Sequence, residues 1–257
     1  MSTPGTPAWL EAPTGDLAAS RDFYTGLLGW TYQEAFEGYT IALVDGTPVA
    51  GLYPPSTSAQ GTPPGWSLYL HTADLARTSA QAAELGAKTI MGPLEIPGKG
   101  HVQLVTDPAG AVIGFWQATA DESVLVGQPG ALAWQEVVTR DTDVADDFYR
   151  SLFGYEERQV GDGELDYVVW SVDGTEVAGR LRMGADFPPD LAPHWMVYFA
   201  VSPEVGTDKA AERIPELGGT VDVAPFDSPY GRIAVVRDPY GSVFSLITPA
   251  WPTTPDA

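Results

Sequence analysis

The chain has 257 residues, of which 34 are acidic and 13 are basic, so its formal net charge is −21, and it contains no cysteine. The acidic surface would repel nucleic-acid phosphates and anionic lipids, so we expect neither nucleic acid nor a membrane as partner. The missing cysteines exclude disulfides, zinc–thiolate centres and thiol nucleophiles. The sequence shows no signal peptide and no apolar run long enough to span a membrane, which predicts a cytoplasmic protein.

The first quarter of the chain predicts a strand, a helix and a hairpin. The helix is expected over residues 17–28, between Asp16 as N-cap and Gly29 as the glycine that ends it. Asp45-Gly46 is a strong signal for a hairpin turn. The strands of this segment are expected at residues 8–13, 39–44 and 48–53.

A second strand–helix–strands unit follows. A strand is expected at residues 66–71 and a helix at residues 75–85, ended by Gly86. Two closing strands, residues 101–106 and 112–116, are joined by an Asp-Pro-Ala-Gly turn. The two units together have the pattern of paired βαβββ modules.

The chain then repeats itself. At a shift of 125 residues, Pro4–Gly29 aligns with Pro129–Gly154, and 12 of the 26 positions are identical. Asp173-Gly174 repeats the hairpin turn, and Asp141 and Gly154 repeat the expected ends of the first helix. We therefore predict an α+β fold made by tandem duplication. Four βαβββ modules pair into two curved-sheet domains, residues 1–117 and 131–257, with residues 118–130 as a linker.

Two motifs resemble the vicinal oxygen chelate superfamily, which includes glyoxalase I, extradiol dioxygenases and bleomycin resistance proteins. The first is Phe-Tyr-x-x-Leu-x-Gly followed by an aromatic residue, at Phe23–Trp30 and Phe148–Tyr155. The second is the Asp-Pro-x-Gly turn before the last strand of each copy. The resemblance extends over essentially the whole chain, to a duplicated glyoxalase-like group of actinobacteria, and it implies the fold rather than one reaction.

The resemblance also implies where metal ligands would lie. In the metal-dependent members, ligands come from the first strand of each module and from the last strand of the pair. The matching positions here are Trp9, Ser67 and Gly114 in the first copy, and Trp134, Met196 and Ser245 in the second. None is an imidazole or a carboxylate, the groups that divalent ions prefer. We therefore expect no metal or other cofactor, with a divalent metal bound by displaced ligands as the alternative.

Glu11 and Glu136 are the strongest candidates for chemistry. Each follows a tryptophan by two residues inside an otherwise apolar strand, where a carboxylate is costly unless it is hydrogen-bonded. One interpretation is a structural hydrogen bond between modules. The other is a polar anchor or a general base with a raised pKa.

His71 and His101 are weaker catalytic candidates, since a structural role in a strand is the more common use of such histidines. Because side chains alternate along a strand, Trp9 and Glu11 should share one face, as should Tyr69 and His71. We predict a ligand pocket on that face, with an aromatic first copy and a more cationic second copy. Its residues would be Trp9, Glu11, Tyr69, His71, His101, Gln103, Trp116, Trp134, Glu136 and Arg232.

Three functions remain open. The first is a protein that binds a bulky hydrophobic or aromatic molecule, in sequestration, resistance or a natural-product pathway, because tryptophans are plentiful in the predicted strands. The second is an enzyme, a lyase, isomerase or oxygenase of hydroxylase type, that uses displaced metal ligands or Glu and His as acid and base. The third is a structural protein with a vestigial cavity. We expect a small-molecule partner and either a monomer with internal two-fold symmetry or a homodimer.

Overall fold

A computed structural model describes residues 3–55, 65–120, 124–161 and 165–250. The first half runs β1 (Pro7–Pro13), α1 (Leu17–Leu28), β2 (Thr31–Phe36), β3 (Tyr39–Val44), β4 (Thr47–Tyr53), β5 (Ser67–His71), α2 (Leu75–Glu84), β6 (Lys88–Ile96), β7 (Gly100–Thr106) and β8 (Val112–Ala118). The second half runs β9 (Leu132–Thr139), α3 (Thr142–Phe153), β10 (Glu156–Val160), β11 (Tyr167–Val172), β12 (Thr175–Arg182), β13 (His194–Ala200), α4 (Gly206–Glu216), β14 (Thr220–Ser228), β15 (Gly231–Arg237) and β16 (Val243–Pro249). The α+β fold of four βαβββ modules is confirmed.

Each half forms one eight-stranded mixed sheet. The strand order is β2-β3-β4-β1-β5-β8-β7-β6 in the first half and β10-β11-β12-β9-β13-β16-β15-β14 in the second. The two modules of a half meet where their first strands pair antiparallel, β1 with β5 and β9 with β13. The first strand of each module therefore lies at the middle of a sheet.

Local sequence signals explain several of the element ends. The Asp16 side chain accepts hydrogen bonds from the backbone N–H groups of Ala18 and Ala19, and Gly29 ends α1 in the left-handed conformation with φ of 75°. Asp45 and Gly46 both have positive φ, as a tight hairpin turn requires. Asp141 departs from the prediction, because it precedes α3 but makes no capping hydrogen bond with its side chain.

The main hydrophobic core lies where the two halves meet. Phe23 of α1 packs edge-to-face against Phe244 of β16 in the other half, with ring centroids 6.5 Å apart. Phe153 of α3 packs in the same way against Phe115 of β8, at 6.0 Å. Leu10 of β1 belongs to this core and is fully buried. Its neighbours in the strand therefore point to the opposite side of the sheet. We call that side, opposite the helices, the open face.

One buried ion-pair network distinguishes the second half. Arg180 of β12 is only 4% exposed. Its guanidinium lies 2.9 Å from Asp146 of α3 and 2.6 Å from Asp166. The equivalent position in the first half is Leu52, in an apolar setting. The helix of the second half thus packs on its sheet through buried ion pairs, whereas the equivalent position of the first half is apolar.

No helix in the described ranges is long and apolar enough to cross a membrane.

Candidate functional site

The open face of the first half carries a hydrogen-bonded cluster centred on Glu11. The hydroxyl of Tyr39 donates to Oε2 of Glu11 at 2.8 Å, and the hydroxyl of Tyr69 donates to Oε1 at 2.7 Å. The indole Nε1 of Trp9 donates to the Tyr39 oxygen at 2.8 Å. Because Tyr39 accepts from the indole, its own proton is directed to the carboxylate. Hydrogen-bond donation therefore runs in one direction, from the indole N–H through the Tyr39 hydroxyl to Glu11.

Strand pairing brings these side chains together. Trp9 of β1 is paired with Tyr69 of β5, so the two side chains share the open face. Tyr39 comes from β3 and reaches Glu11 across the intervening strand β4. The Tyr39 hydroxyl lies directly over Gly51, and a Cβ at that position would collide with the phenol ring. Glycine is required there because a larger residue would block the path of Tyr39.

The second half repeats the cluster at equivalent positions. Tyr198 donates to Oε1 of Glu136 at 2.7 Å, and Trp134 donates to the Tyr167 oxygen at 2.7 Å. Tyr167 also hydrogen-bonds to Glu136 and lies over Gly179, where a Cβ would collide with it. Two chain segments of diverged sequence thus build the same arrangement of one carboxyl, two phenols and one indole.

Burial changes the acidity of both carboxyls. It raises the pKa of Glu11 above its usual value, against the effect of hydrogen bonds from Tyr69 and Tyr39. It raises the pKa of Glu136 in the same way, against hydrogen bonds from Tyr198 and Tyr167. A carboxyl of raised pKa can hold or release a proton closer to neutral pH than an ordinary glutamate.

The phenols of the cluster remain protonated donors. Burial raises the pKa of Tyr39 and that of Tyr69 well above the ordinary value, and the neighbouring Glu11 carboxylate raises both further. The same causes, burial first and Glu136 second, act on the pKa of Tyr198. Each carboxyl is therefore held by groups that donate hydrogen bonds over the whole physiological pH range.

Most of the residues predicted to line the first pocket do share the open face. Trp116 of β8 is paired with His71 of β5, two residues beyond Tyr69, and the Tyr69 and Trp116 rings meet edge-to-face at 6.3 Å. His71 is buried, at 4% exposure. Tyr53 adds a further ring, parallel to that of Tyr39 at 6.2 Å. The first half therefore presents an aromatic wall beside Glu11.

Three predicted pocket residues lie on the other side of the sheets. Gln103 hydrogen-bonds to Ser79 of α2 and to Thr89, so it faces the helices. His101 is paired with Gln117, whose side chain accepts the N–H at the start of α2, and it shares that side. Arg232 forms ion pairs with Asp208 of α4 and with Asp227. These three residues therefore do not line the open face. The predicted pocket rim, which was expected to be cationic in the second half, is corrected by this placement.

Sequence reasoning missed three of the tyrosines: Tyr39, Tyr167 and Tyr198. The duplication contained the signal, because Tyr39 aligns with Tyr167 at a shift of 128 residues and Tyr69 aligns with Tyr198 at a shift of 129. A tyrosine retained at both copies of two positions, beside a paired Trp-x-Glu, would have indicated the cluster.

The residues at the implied metal positions do not fit a divalent ion. Trp9, Ser67 and Gly114 offer one indole, one hydroxyl and no side chain. The ring of Tyr69 fills the space above Gly114, where even a Cβ would collide with it. Within the described residues, no three His, Asp or Glu side chains lie close enough together to hold a metal ion.

The described residues also form two surface depressions, one of which borders the second cluster at Trp134. One, of about 310 Å³, lies between the halves and is lined by the end of α1, Gly130 and Arg213. The other, of about 410 Å³, has a mixed lining that includes Val124, Val126 and Val177 as well as Trp134 and Glu176. Neither depression is lined by Glu11 or Glu136, the two carboxyls held by phenol donors, so we place the candidate site at the clusters.

Comparison with known proteins gives matches over the whole chain. The family model of the Glyoxalase/Bleomycin resistance protein/Dioxygenase superfamily matches residues 6–115 and 131–246. The anthracycline biosynthesis protein DauV of Streptomyces sp. strain C5 is 35% identical over 261 residues, covering 95% of this chain and 93% of the relative. The putative glyoxylase CFP32 of Mycobacterium bovis is 34% identical over 256 residues, covering 96% and 95%.

Solved structures share the fold at low sequence identity. The Mn(II)-bound glyoxalase from Novosphingobium aromaticivorans superposes with a TM-score of 0.66 at 15% identity, covering 96% of this chain and 83% of the other. The 2,3-dioxygenase LapB from Pseudomonas sp. KL28 gives 0.65 at 14% identity, covering 100% and 96%. The repeat, the sheet topology and the family match agree, and the chain belongs to the Glyoxalase/Bleomycin resistance protein/Dioxygenase superfamily.

Proposed function

We propose that the chain binds a flat, polycyclic aromatic small molecule at the Glu11 cluster, without a metal ion. The observation that carries this proposal is the carboxyl of Glu11, fixed by two phenol donors and flanked by aromatic rings on the open face. Trp9 and Trp116 offer flat surfaces on which an aromatic ring system can stack. Glu11 is partly exposed, so it can accept a hydrogen bond from a hydroxyl of the ligand.

The relatives support this class of ligand. DauV and DnrV, both named as anthracycline biosynthesis proteins, are each 35% identical to this chain over 95% of its length. Anthracyclines are polycyclic aromatic molecules that carry phenolic hydroxyls. Such a hydroxyl is an acidic hydrogen-bond donor, which suits a carboxylate acceptor in a desolvated site.

A titration of tryptophan emission with 1,4-dihydroxyanthraquinone, a polycyclic hydroxyquinone, tests the proposal. We expect saturable quenching in the wild-type protein. Trp9→Ala should weaken binding by about two- to tenfold, because stacking on an aromatic wall contributes roughly 0.5–1.5 kcal/mol beyond burial. Phe226→Ala, at an exposed position on the edge strand β14, is the matched control and should bind as wild type does. Equal affinities of Trp9→Ala and wild type would place the ligand elsewhere.

A second candidate function is acid–base catalysis on the same ligand. The raised pKa of Glu11 favours it, because a carboxyl of raised pKa is a stronger base and can take a proton from a hydroxyl or an activated C–H group. Chromatography of the ligand after long incubation separates the two functions. A binder returns the ligand unchanged, whereas an enzyme converts it, and Glu11→Gln would slow that conversion by roughly 10²–10⁴-fold.

A further inference from the structure

The apolar clusters on the two open faces differ among the described residues; the first-half counterpart of the segment that follows β12 includes residues 56–64, which lie outside them. In the first half, the apolar cluster on this face consists of strand residues throughout the described part of the chain, among them Tyr69, Val102 and Leu104. In the second half, Met183 and Phe187, which follow the end of β12, join the corresponding cluster. Phe187 packs there against the cluster formed by Val138, Met183 and Met196. Met196 is paired with Glu136, so Phe187 lies on the face that carries the second carboxyl.

The covering segment of the second half is held in place by a clamp. The guanidinium of Arg140, just after β9, donates to the carbonyl oxygens of Pro188 and Leu191 at 2.7 Å each. The N–H of Met183 donates to the carbonyl of Thr139 at 2.8 Å, which fixes the near end of the segment. The equivalent of Arg140 in the first half is Gly15, which has no side chain to make such bonds.

The carboxyl of the second half is less exposed to solvent than that of the first half. Glu136 is 4% exposed, whereas Glu11 remains partly exposed. The wall residues differ as well: Tyr53, His71 and Trp116 of the first half correspond to Leu181, Ala200 and Ile247 of the second. Three rings that line the first face are thus replaced by aliphatic side chains on the second face, whose carboxyl is also the less exposed of the two.

We propose that the first half carries the ligand site of the chain and that the equivalent site of the second half is plugged by its own segment 183–191, which Arg140 clamps. This inference rests on the proposed function, because it takes the Glu11 cluster to be a ligand site. It assigns one polycyclic aromatic ligand to each chain. It also makes the second cluster a latent site for the same class of ligand.

Native mass spectrometry with 1,4-dihydroxyanthraquinone counts the sites. We expect one ligand per wild-type chain and two per chain in the Arg140→Ala/Phe187→Ala variant. Adding Trp134→Ala to that variant should weaken binding of the second ligand by about two- to tenfold and leave the first unchanged. Two ligands on the wild-type chain, or a single ligand on the double variant, would overturn the plug while leaving the proposed function intact. A wild-type chain that binds no ligand would instead contradict the proposed function.

A labelling experiment tests, without any ligand, whether segment 183–191 covers Glu136. A water-soluble carbodiimide with glycine ethyl ester modifies accessible carboxyls, and peptide mapping reports the rate at each position. We expect Glu136 to react several-fold more slowly than Glu11 in the wild-type protein. Phe187→Ala should bring the rate at Glu136 up to that at Glu11, while Val144→Ala, at an exposed position on α3, should change neither rate. Equal rates in the wild-type protein would show that the second carboxyl is not covered.

Discussion

Tyr24 of the first half donates its hydroxyl proton to Oδ2 of Asp238 in the second half, at 2.9 Å. The reciprocal bond, from Tyr149 to Oδ2 of Asp107, is 2.7 Å long. The other carboxylate oxygen of Asp238 accepts backbone N–H bonds within its own turn. Each Asp-Pro-x-Gly turn is therefore completed by the helix of the other copy, so the halves are interlocked by two equivalent bonds.

Removing one of these hydrogen bonds should lower the unfolding free energy of the whole chain. Tyr24→Phe leaves a buried oxygen of Asp238 without its donor, which costs about 1–3 kcal/mol of unfolding free energy. Urea denaturation measures the change. Tyr32→Phe is the matched control, because its hydroxyl donates to the carbonyl of Arg21 in a partly exposed setting. A Tyr24→Phe variant as stable as wild type would contradict the interlocking role.

The raised pKa of Glu11 gives a stability change with a definite sign. A carboxyl whose pKa is higher in the folded protein than in the unfolded chain contributes stability that is fully present below the unfolded value of 4.5 and lost as the pH rises through the folded value. Glu11→Gln cannot ionise. The unfolding free energy of wild type should therefore fall relative to that of Glu11→Gln as the pH rises from 4.5.

Thermal unfolding of both proteins between pH 4.5 and 8 checks this prediction. The exposed residue Glu95 provides the control, and the difference between Glu95→Gln and wild type should not follow the same trend. A wild-type protein that gains stability relative to Glu11→Gln over this range would mean that the phenol donors outweigh burial.

Gly114→Ala tests whether the phenol ring really occupies the implied metal position. The added methyl group would collide with the Tyr69 ring, and such overpacking costs about 1–3 kcal/mol. Gly184→Ala is the control, since a Cβ there meets no atom within 4 Å and the residue has no positive φ. Denaturant unfolding should show a loss for Gly114→Ala alone. Equal stability of the two variants would mean that Tyr69 moves aside freely.

Arg180 offers a test of the buried ion pairs that only the second half contains among the described residues. Arg180→Leu introduces the residue that the first half has at this position. It leaves Asp146 buried without its cation, so we expect a loss of about 3–5 kcal/mol. The double variant Arg180→Leu/Asp146→Leu removes both charges and should recover part of that loss in chemical denaturation. A double variant less stable than Arg180→Leu would contradict this interpretation.

The sequence predicted those parts of the fold that depend on nearest neighbours. The Asp45-Gly46 hairpin, the Gly29 helix end and the shared face of Trp9 and Glu11 all follow from residues a few positions apart. The face of the sheet on which each β7 side chain lies could not be predicted by counting along the chain. Its direction is set by pairing with β8, which places Gln103 opposite Phe115 on the helix side, and β6 contains register shifts that interrupt any count along the chain.

The carboxyl cluster shows a second limit of sequence reasoning. Tyr39 and Glu11 are 28 residues apart and lie on strands that are not neighbours. Their contact depends on Gly51, whose missing side chain opens the path between them. A local pattern contains no sign of such a contact. The duplicated chain contains one, because the tyrosine and the glycine recur together as Tyr167 and Gly179.

That recurrence has a consequence for the history of the protein. Gly51 and Gly179 each admit a tyrosine to a carboxyl on the next strand, and both halves share this device although their sequences have diverged. If the two halves had acquired this set separately, the same glycine, phenol, indole and carboxyl would have had to arise twice at equivalent positions. The ancestral single-copy protein therefore already had the phenol-bound carboxyl before its gene was duplicated and fused. Fusion then freed the two halves to diverge, because one chain supplies both copies and each copy can change alone.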